Sequence, residues 1–497
     1  MAHYLGIDIG TSSVKSLLMD ENGQVVDSTS ESYPASTPHP LWSEQEPDLW
    51  WDATLRTMQD LKSQYPAPFS DIKCIGLSGQ MHGAVMLNES FEPVRPAILW
   101  NDGRSHLDAA AMNEENPDLG MIAGVPVMSG FTAPKLRWMA ENEPEVLKSV
   151  RYLMLPKDYV RFKLTGTLAT DMSDAAGTLW LDEANRCWSD EMLTLSGISQ
   201  DLMVALKEGT ESTGNLTQQA AEITALNTDV MVCAGGGDAA CGALGIGAIN
   251  QGDAFISLGT SAQYFVTTDT YKPYPAALVH SFAHAIPNRW FQMACMLNGA
   301  SPLKWFADLT QQDIGELIND LESHYDPAQP TLFLPYLMGE RTPHNNPFAT
   351  ASFHHMTWAT QGHHMVQAIL EGVAFSLLDC QNAIKESGTQ VEYLGAIGGG
   401  AKSRLWLQIV ANILNVKIIR YEGGESGPAF GAARLAKICH TGDSVESVCT
   451  SPKVIEEITP DPSCANVYHK KYEEFRTLYK EYESVRSNRV GASYVDV

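Results

Sequence analysis

The sequence lacks a disulfide framework. Its nine cysteines, at 74, 187, 233, 241, 295, 380, 439, 449 and 464, show no C-x-x-C spacing. Their odd number and scatter fit small buried thiols in a reducing compartment. No apolar run is long enough to span a bilayer, and a strand-like pattern begins at Tyr4 with no basic or apolar leader before it. The expectation is a cytoplasmic chain without membrane contact. Basic residues are scarce: 33 Lys and Arg face 59 Asp and Glu, a net charge of −26. That balance argues against duplex nucleic acid, which needs clustered cations, and against an anionic membrane surface. It leaves phosphate chemistry open, because a local nest of backbone N–H groups and a metal ion suffice. Catalytic signatures are missing too. Gly76-Leu77-Ser78-Gly79-Gln80 lacks the last glycine of a nucleophile elbow. His280 with His284, and the pairs His354-His355 and His363-His364, have no carboxylate at a metalloprotease spacing.

What is present is a 497-residue chain, 44% apolar and 19% charged, enough for two to four domains of roughly 150 residues. The segment from Tyr4 to Asp20 predicts a strand, a Gly10-Thr11-Ser12 turn and a second strand; Asn22-Gly23 then predicts a hairpin into a third. Ala254 to Val266 repeats the device around Gly259-Thr260-Ser261, about half a chain later, which points to two related lobes. Helical periodicity appears over 134–142, 158–164 and 365–387, the last closed by Gly388. Ser403 predicts an N-cap, and a charged helix is expected over 467–485. Strands alternate with helices in both halves, an α/β pattern. The lobe boundary falls near 243–250, and no low-complexity linker marks it.

Four constellations could carry chemistry. In Gly6-Ile7-Asp8-Ile9-Gly10-Thr11-Ser12, a carboxylate within an apolar strand precedes a turn with free N–H groups. It suits a cation on Asp8 and phosphates on the turn, with Lys15 adding charge; the plain alternative is a hairpin with a solvated Asp. Gly235-Gly236-Gly237-Asp238 fixes one carboxylate at a glycine turn. It lacks the distal acidic residue of a dinucleotide fingerprint, so a general base for a hydroxyl is the better reading, beside a structural turn. Gly398-Gly399-Gly400-Ala401-Lys402-Ser403 joins a strand to a helix, a place for a nucleotide or a plain connection. It is not a Walker A loop, because Ala401 precedes Lys402. Gly79-Gln80-Met81-His82-Gly83 and Trp100-Asn101-Asp102 set polar groups beside aromatics, as in sugar pockets, although a lone histidine is more often structural.

Together these segments resemble the FGGY carbohydrate kinases, and within them the branch acting on D-xylulose. The resemblance extends to about residue 480. It rests also on Gly130 to Asn142, His364 to Glu371, Pro40 to Gln45, Arg95 to Gly103, Asp171 to Gly177 and Glu340 to Pro347. It implies a two-lobed actin/hexokinase-like (ribonuclease H-like) α/β ATPase fold with a cleft between the lobes. The N-terminal lobe would be 1–246, the C-terminal nucleotide lobe 247–485 and a tail 486–497. Asp238 would be the general base, and Asp8 would position Mg²⁺ through water. Met81 and His82 would touch the sugar near Trp100 and Asn101. Gly10, Thr11, Ser12 and Lys15 on one side and Gly259 and Thr260 on the other would bracket the phosphates of ATP. Gly399, Gly400, Ala401 and Arg404 would line the nucleotide. The implied product is D-xylulose 5-phosphate; the partners are sugar and ATP, a homodimer is compatible, and nucleic acid and membrane are not expected. Two positions depart from the family pattern: Ala239 stands where asparagine usually follows the base, and His355 where glycine is usual. The first keeps another ketose or polyol, such as ribulose, as an alternative. A non-catalytic sugar- or nucleotide-responsive protein is the remote one.

Overall fold

In the computed structural model, residues 1–422 and 427–493 are described. The opening meander forms as its sequence predicts: β1 (His3–Ile9), β2 (Ser13–Asp20) and β3 (Val25–Ser32), with Gly23 at φ 82° in the first hairpin after β2. β4 (Ile72–Gly79) joins β1 in parallel, β6 (Met231–Cys233) and β7 (Gly236–Gly237) join β4 in parallel, and β5 (Ser212–Asn215) closes the edge against β6. The order is β5-β6-β4-β1-β2-β3, with β7 beside the end of β4. β1 and β4 are buried along almost their whole length, which is why their sequences run apolar rather than alternate.

The C-terminal half builds the same arrangement again. β8 (Ala254–Leu258), β9 (Ala262–Thr268), β10 (His280–Ala283) and β11 (Trp290–Met296) are antiparallel. β12 (Tyr393–Ile397) and β13 (Lys417–Tyr421) follow in parallel, and β14 (Val454–Ile458) is an antiparallel edge. The order β10-β11-β9-β8-β12-β13-β14 reproduces the first sheet with one added edge strand. The Gly-Thr-Ser turns thus occupy corresponding places, between the first two strands of each sheet.

Helices cover both sheets. α1 (Pro47–Gln64) lies over β2 and β3, beside α2 (Pro156–Thr165). α3 (Asp238–Gly245) starts directly at the end of β7. In the second half, α4 (Gly362–Glu386) packs on α5 (Arg404–Leu414), whose N-cap Ser403 accepts the Trp406 N–H at 3.2 Å. α6 (Gly427–Thr441) crosses back and lies on β1, β4 and α3 of the first half. The approach is close: a Cβ at Gly6 or Gly76 would fall 1.9 Å from the carbonyl oxygen of Ala429 or Ala432. Chain halves and packing units therefore do not coincide here. One apolar core runs continuously from Tyr4 and Cys74 through Phe255 and Phe291 to Ala432. α7 spans Ala465–Ser493, so the helix expected to stop at 485 continues through most of the segment assigned to a tail; 494–497 lie outside the described residues. His355, at the position where the family pattern has glycine, adopts a left-handed φ of 59°. No helix among the described residues is long and apolar enough to cross a membrane.

Candidate active site

The first sheet brings its chemistry together through register. Asp8 on β1 sits opposite Ser78 on β4, and Gly237 on β7 sits opposite Gly79. Asp8, Met81 and Asp238 thus gather at the carboxyl ends of three parallel strands, the usual ligand edge of an open α/β sheet. The glycine run before Asp238 is needed for this: Gly235 has φ 82°, and a Cβ there would lie 2.0 Å from the Leu77 carbonyl.

The two carboxyl groups sit in different environments. Burial pushes Asp8 up to about 7; the nearby Asp238 charge adds to this, while Ser78 and Lys15, which faces it across β2, oppose it. Its Oδ1 is sealed from solvent and accepts no hydrogen bond among the described residues. An orphaned carboxylate oxygen beside a second carboxylate fits a divalent cation. Asp238 opens helix α3, accepts the Ala239 N–H at 2.7 Å, and is raised by burial to about 6. The helix N-terminus favours its anion, and burial outweighs that help. Asp238 and Ala239 border a cavity of about 520 Å³ that continues to Gly398, Gly399 and Lys402 of the second half.

On the sugar side, His82, Trp100 and Asn101 line one cavity of about 310 Å³. His82 holds φ 69° and gives its Nδ1–H to the Gly177 carbonyl at 2.7 Å. Burial lowers its pKa to about 3, so the ring is neutral and Nε2 is left as an acceptor. Met81 is buried against Gly237, where a Cβ would meet its Sδ at 2.9 Å. The Gly10 turn is tight, with Gly10 N donating to Ser13 O at 2.9 Å. Its Thr11 hydroxyl is engaged within the protein: it accepts the Trp100 indole N–H at 2.8 Å and donates to Gln80 at 3.2 Å. Ser12 is exposed.

On the nucleotide side, Thr260, Gly399 and Gly400 line a cavity of about 890 Å³, bounded opposite by Lys304, Trp305 and Asn319. Gly399 and Lys402 border both this cavity and the one at Asp238. Gly259 lies at the adjoining turn and accepts the Ala300 N–H at 2.6 Å. Ala401 does not line either cavity, and neither does Arg404, whose guanidinium donates to Glu456 at 2.8 Å. Lys304, Trp305 and Asn319 gave no sequence signal, because they stand on helices whose apolar periodicity reads as ordinary core. Lys157 also has no local signal, because its helix, Pro156–Thr165, carries Asp158, Arg161 and Lys163 besides and reads as a solvated face. His363 comes within ion-pair range of Asp320, at 3.7 Å, which its sequence context did not announce.

Models of the FGGY family of carbohydrate kinases match the chain twice, the N-terminal domain over residues 3–245 and the C-terminal domain over 254–439. The chain belongs to this family. It is 43% identical to the xylulose kinase of Escherichia coli K12 over 480 residues, covering 96% of this chain and 99% of that protein. Among solved structures it resembles a xyloylose kinase from Brucella ovis, with a TM-score of 0.94, 41% identity, and 97% and 100% of the two chains covered. A glycerol kinase from Plasmodium falciparum shares the two-lobed actin/hexokinase-like fold, with a TM-score of 0.85 at 21% identity over 100% of this chain and 99% of that one.

The FGGY sequence motifs have a common physical role here: they hold the site from beneath. From the segment 130–142, Thr132 and Lys135 both donate to the His82 carbonyl, at 3.1 and 2.9 Å, and fix its left-handed backbone. From 171–177, Gly177 anchors the His82 ring, and the Ser173 hydroxyl accepts the Gly237 N–H at 3.0 Å while donating to Asp171. Asp171 is in turn paired with the wholly buried Lys157, which also meets Asp158 and Asp174. From 40–45, Gln45 donates to the Thr11 carbonyl at 2.7 Å. Glu44 binds Arg104 and Arg95, joining this segment to 95–103.

Proposed function

We propose that this chain transfers the γ-phosphoryl group of ATP to D-xylulose, giving D-xylulose 5-phosphate and ADP, with Asp238 as general base. The observation that carries the reading is the position of Asp238, on a cavity that shares Gly399 and Lys402 with the glycine-lined pocket of the other half, and beside the Met81–His82 segment. The xylulose kinase relatives, similar over nearly their full length, supply the substrate class.

Phosphoryl transfer has a loose transition state, so positioning and charge stabilisation supply most of the catalysis. The C5 hydroxyl of the sugar gives its proton to the Asp238 carboxylate as its oxygen bonds the γ-phosphorus and the bridging oxygen leaves with ADP. Asp238 need not be a strong base, since that proton leaves late. The neutral His82 accepts a sugar hydroxyl at Nε2. Gly10, Thr11, Ser12 and Lys15 face Gly259 and Thr260 across the phosphates, and Gly399 and Gly400 admit the nucleotide. Ala401 and Arg404 contribute to the turn and not to the pocket. Asp8, with its unpaired Oδ1, would hold Mg²⁺ through water, and that ion would neutralise phosphate charge.

ADP release with D-xylulose, D-ribulose, L-ribulose, L-xylulose, D-fructose, glycerol and xylitol tests the reading, alongside Asp238→Ala. Turnover on D-xylulose that the substitution abolishes is expected. Silence on D-xylulose with turnover on another sugar would move the specificity, and Ala239, which brings no polar group to its cavity, is the observation that favours this second reading.

A further inference from the structure

The motif from Glu340 to Pro347 lines the same cavity as His82, Trp100 and Asn101 through Glu340, Arg341, Asn345 and Pro347. The cavity straddles the two halves. Its C-terminal wall carries His280, Glu340 and Arg341. His280 is 3% exposed, and neither of its ring nitrogens has a hydrogen-bond partner among the described residues. Its ring packs edge-on against Phe131 of the opposite wall at 5.8 Å. Burial and the nearby Arg341 charge keep it neutral. Two orphaned nitrogens on a buried ring facing a cavity call for a polar occupant.

Arg341 is the second anomaly. Of the three buried arginines among the described residues, Arg104 is matched to Asp102 and Glu44, Arg161 to Asp158, and Arg434 to the Leu244 and Thr450 carbonyls; half-buried Arg341 faces the cavity. No carboxylate lies within ion-pair distance of Arg341 among the described residues. Its neighbour Glu340 is already committed, accepting the backbone N–H groups of Leu297 and Arg341 at 2.7 and 2.8 Å. Arg341 lines the same cavity as His82 and His280.

We propose that His280 and Arg341 are the C-terminal lobe's half of the sugar site, and that they select a polyhydroxylated ketone. This rests on the reading of Asp238 as the base for the far hydroxyl. Donor chemistry favours one assignment. A guanidinium only donates, so Arg341 meets the carbonyl oxygen, which only accepts. A neutral imidazole both donates and accepts, so His280 meets a hydroxyl, as His82 does from the other side. The ketose is then read by both lobes, and the site is complete only when they are together.

The test is steady-state kinetics of Arg341→Gln, Arg341→Lys, His280→Gln and His280→Phe on D-xylulose, xylitol and ATP, with a thermal melt of each variant. KM for D-xylulose is expected to rise at least 10-fold in Arg341→Gln and His280→Phe, while kcat and KM for ATP stay within about 3-fold. The preference for D-xylulose over xylitol should shrink in Arg341→Gln. Arg341→Lys and His280→Gln should recover part of the loss seen in Arg341→Gln and His280→Phe, which a purely structural role would not produce. Unchanged KM for D-xylulose in variants that melt like the wild type would overturn the inference, as would equal losses for both sugars and ATP. A wild type inactive on D-xylulose refutes the substrate reading alone; the same comparison on the sugar it does use then decides this one.

Discussion

Asp238 and Asp8 divide the chemistry because their surroundings differ. Both carboxyls are raised by burial, to about 6 and about 7, so each holds its proton at a pH where a solvated carboxyl has lost it. Transfer requires the Asp238 anion, and the expected kcat/KM profile falls on the acid side of about pH 6–7, with a plateau above; a flat profile down to pH 5 would contradict a base in this environment. Asp8 makes a separate prediction about stability. A folded pKa above the unfolded value of about 3.9 means the folded protein binds the extra proton. The contribution of Asp8 is therefore favourable near pH 4 and is lost as pH rises through about 7. Asp8→Asn should raise the melting temperature of the ligand-free protein at pH 7.5 relative to wild type, with a smaller difference at pH 5. The same substitution should lower kcat about 100-fold or more through misplaced phosphates. Paired melts at the two pH values and ADP release check both halves. The departure at position 239 also belongs to this scale: Ala239 keeps the backbone N–H that steadies Asp238 and loses any side-chain bond to sugar.

At the level of elements, the ends of three parallel strands place the reactive groups, and a buried ionic cluster braces them. Lys157 on α2 sits fully enclosed with Asp158, Asp171 and Asp174, and Asp171 leads through Ser173 to the backbone of Gly237, one residue before the base. Burial opposes the charge on Lys157, while the three aspartates raise its pKa and hold the proton on it. Lys157→Met would leave carboxylates buried without their cation, and removal of one partner of such a group costs about 3–5 kcal/mol. Chemical denaturation should show a loss of that size, and sugar phosphorylation should fall with it. The helix 132–142 does similar work for His82 through Thr132 and Lys135.

On the scale of the whole molecule, the cavities at Asp238 and at His82 are each lined from both halves of the chain. Water admitted to the cavity at Asp238 would compete with the sugar hydroxyl for the γ-phosphate. The lobes are expected to close when sugar and nucleotide are both bound, excluding that water. Small-angle scattering with D-xylulose and a non-hydrolysable ATP analogue should show a smaller radius of gyration than either ligand alone; identical curves would count against closure. The return of α6 across the first sheet limits how the lobes can move, because Gly6 and Gly76 admit its backbone with no room to spare.

The sequence by itself determined much of this. The strand-turn-strand repeats, the N-cap at Ser403 and the α/β alternation are local patterns, set by hydrophobic period, glycine and capping chemistry within a few residues. Asp8 and Asp238 were legible because an acid in an apolar or glycine setting is energetically conspicuous. Only the tertiary structure decided which distant residues meet. Arg404 stands one residue after its cap, as expected, but its long side chain follows Glu456 on a neighbouring strand and leaves the pocket. Helix α7 continues past 485 in a stretch without a local stop signal. The pairing of Ser173 with Gly237 and of Gly177 with His82 depends on strand register and packing. Those contacts join residues 60 to 100 positions apart, and no local pattern encodes a separation of that length.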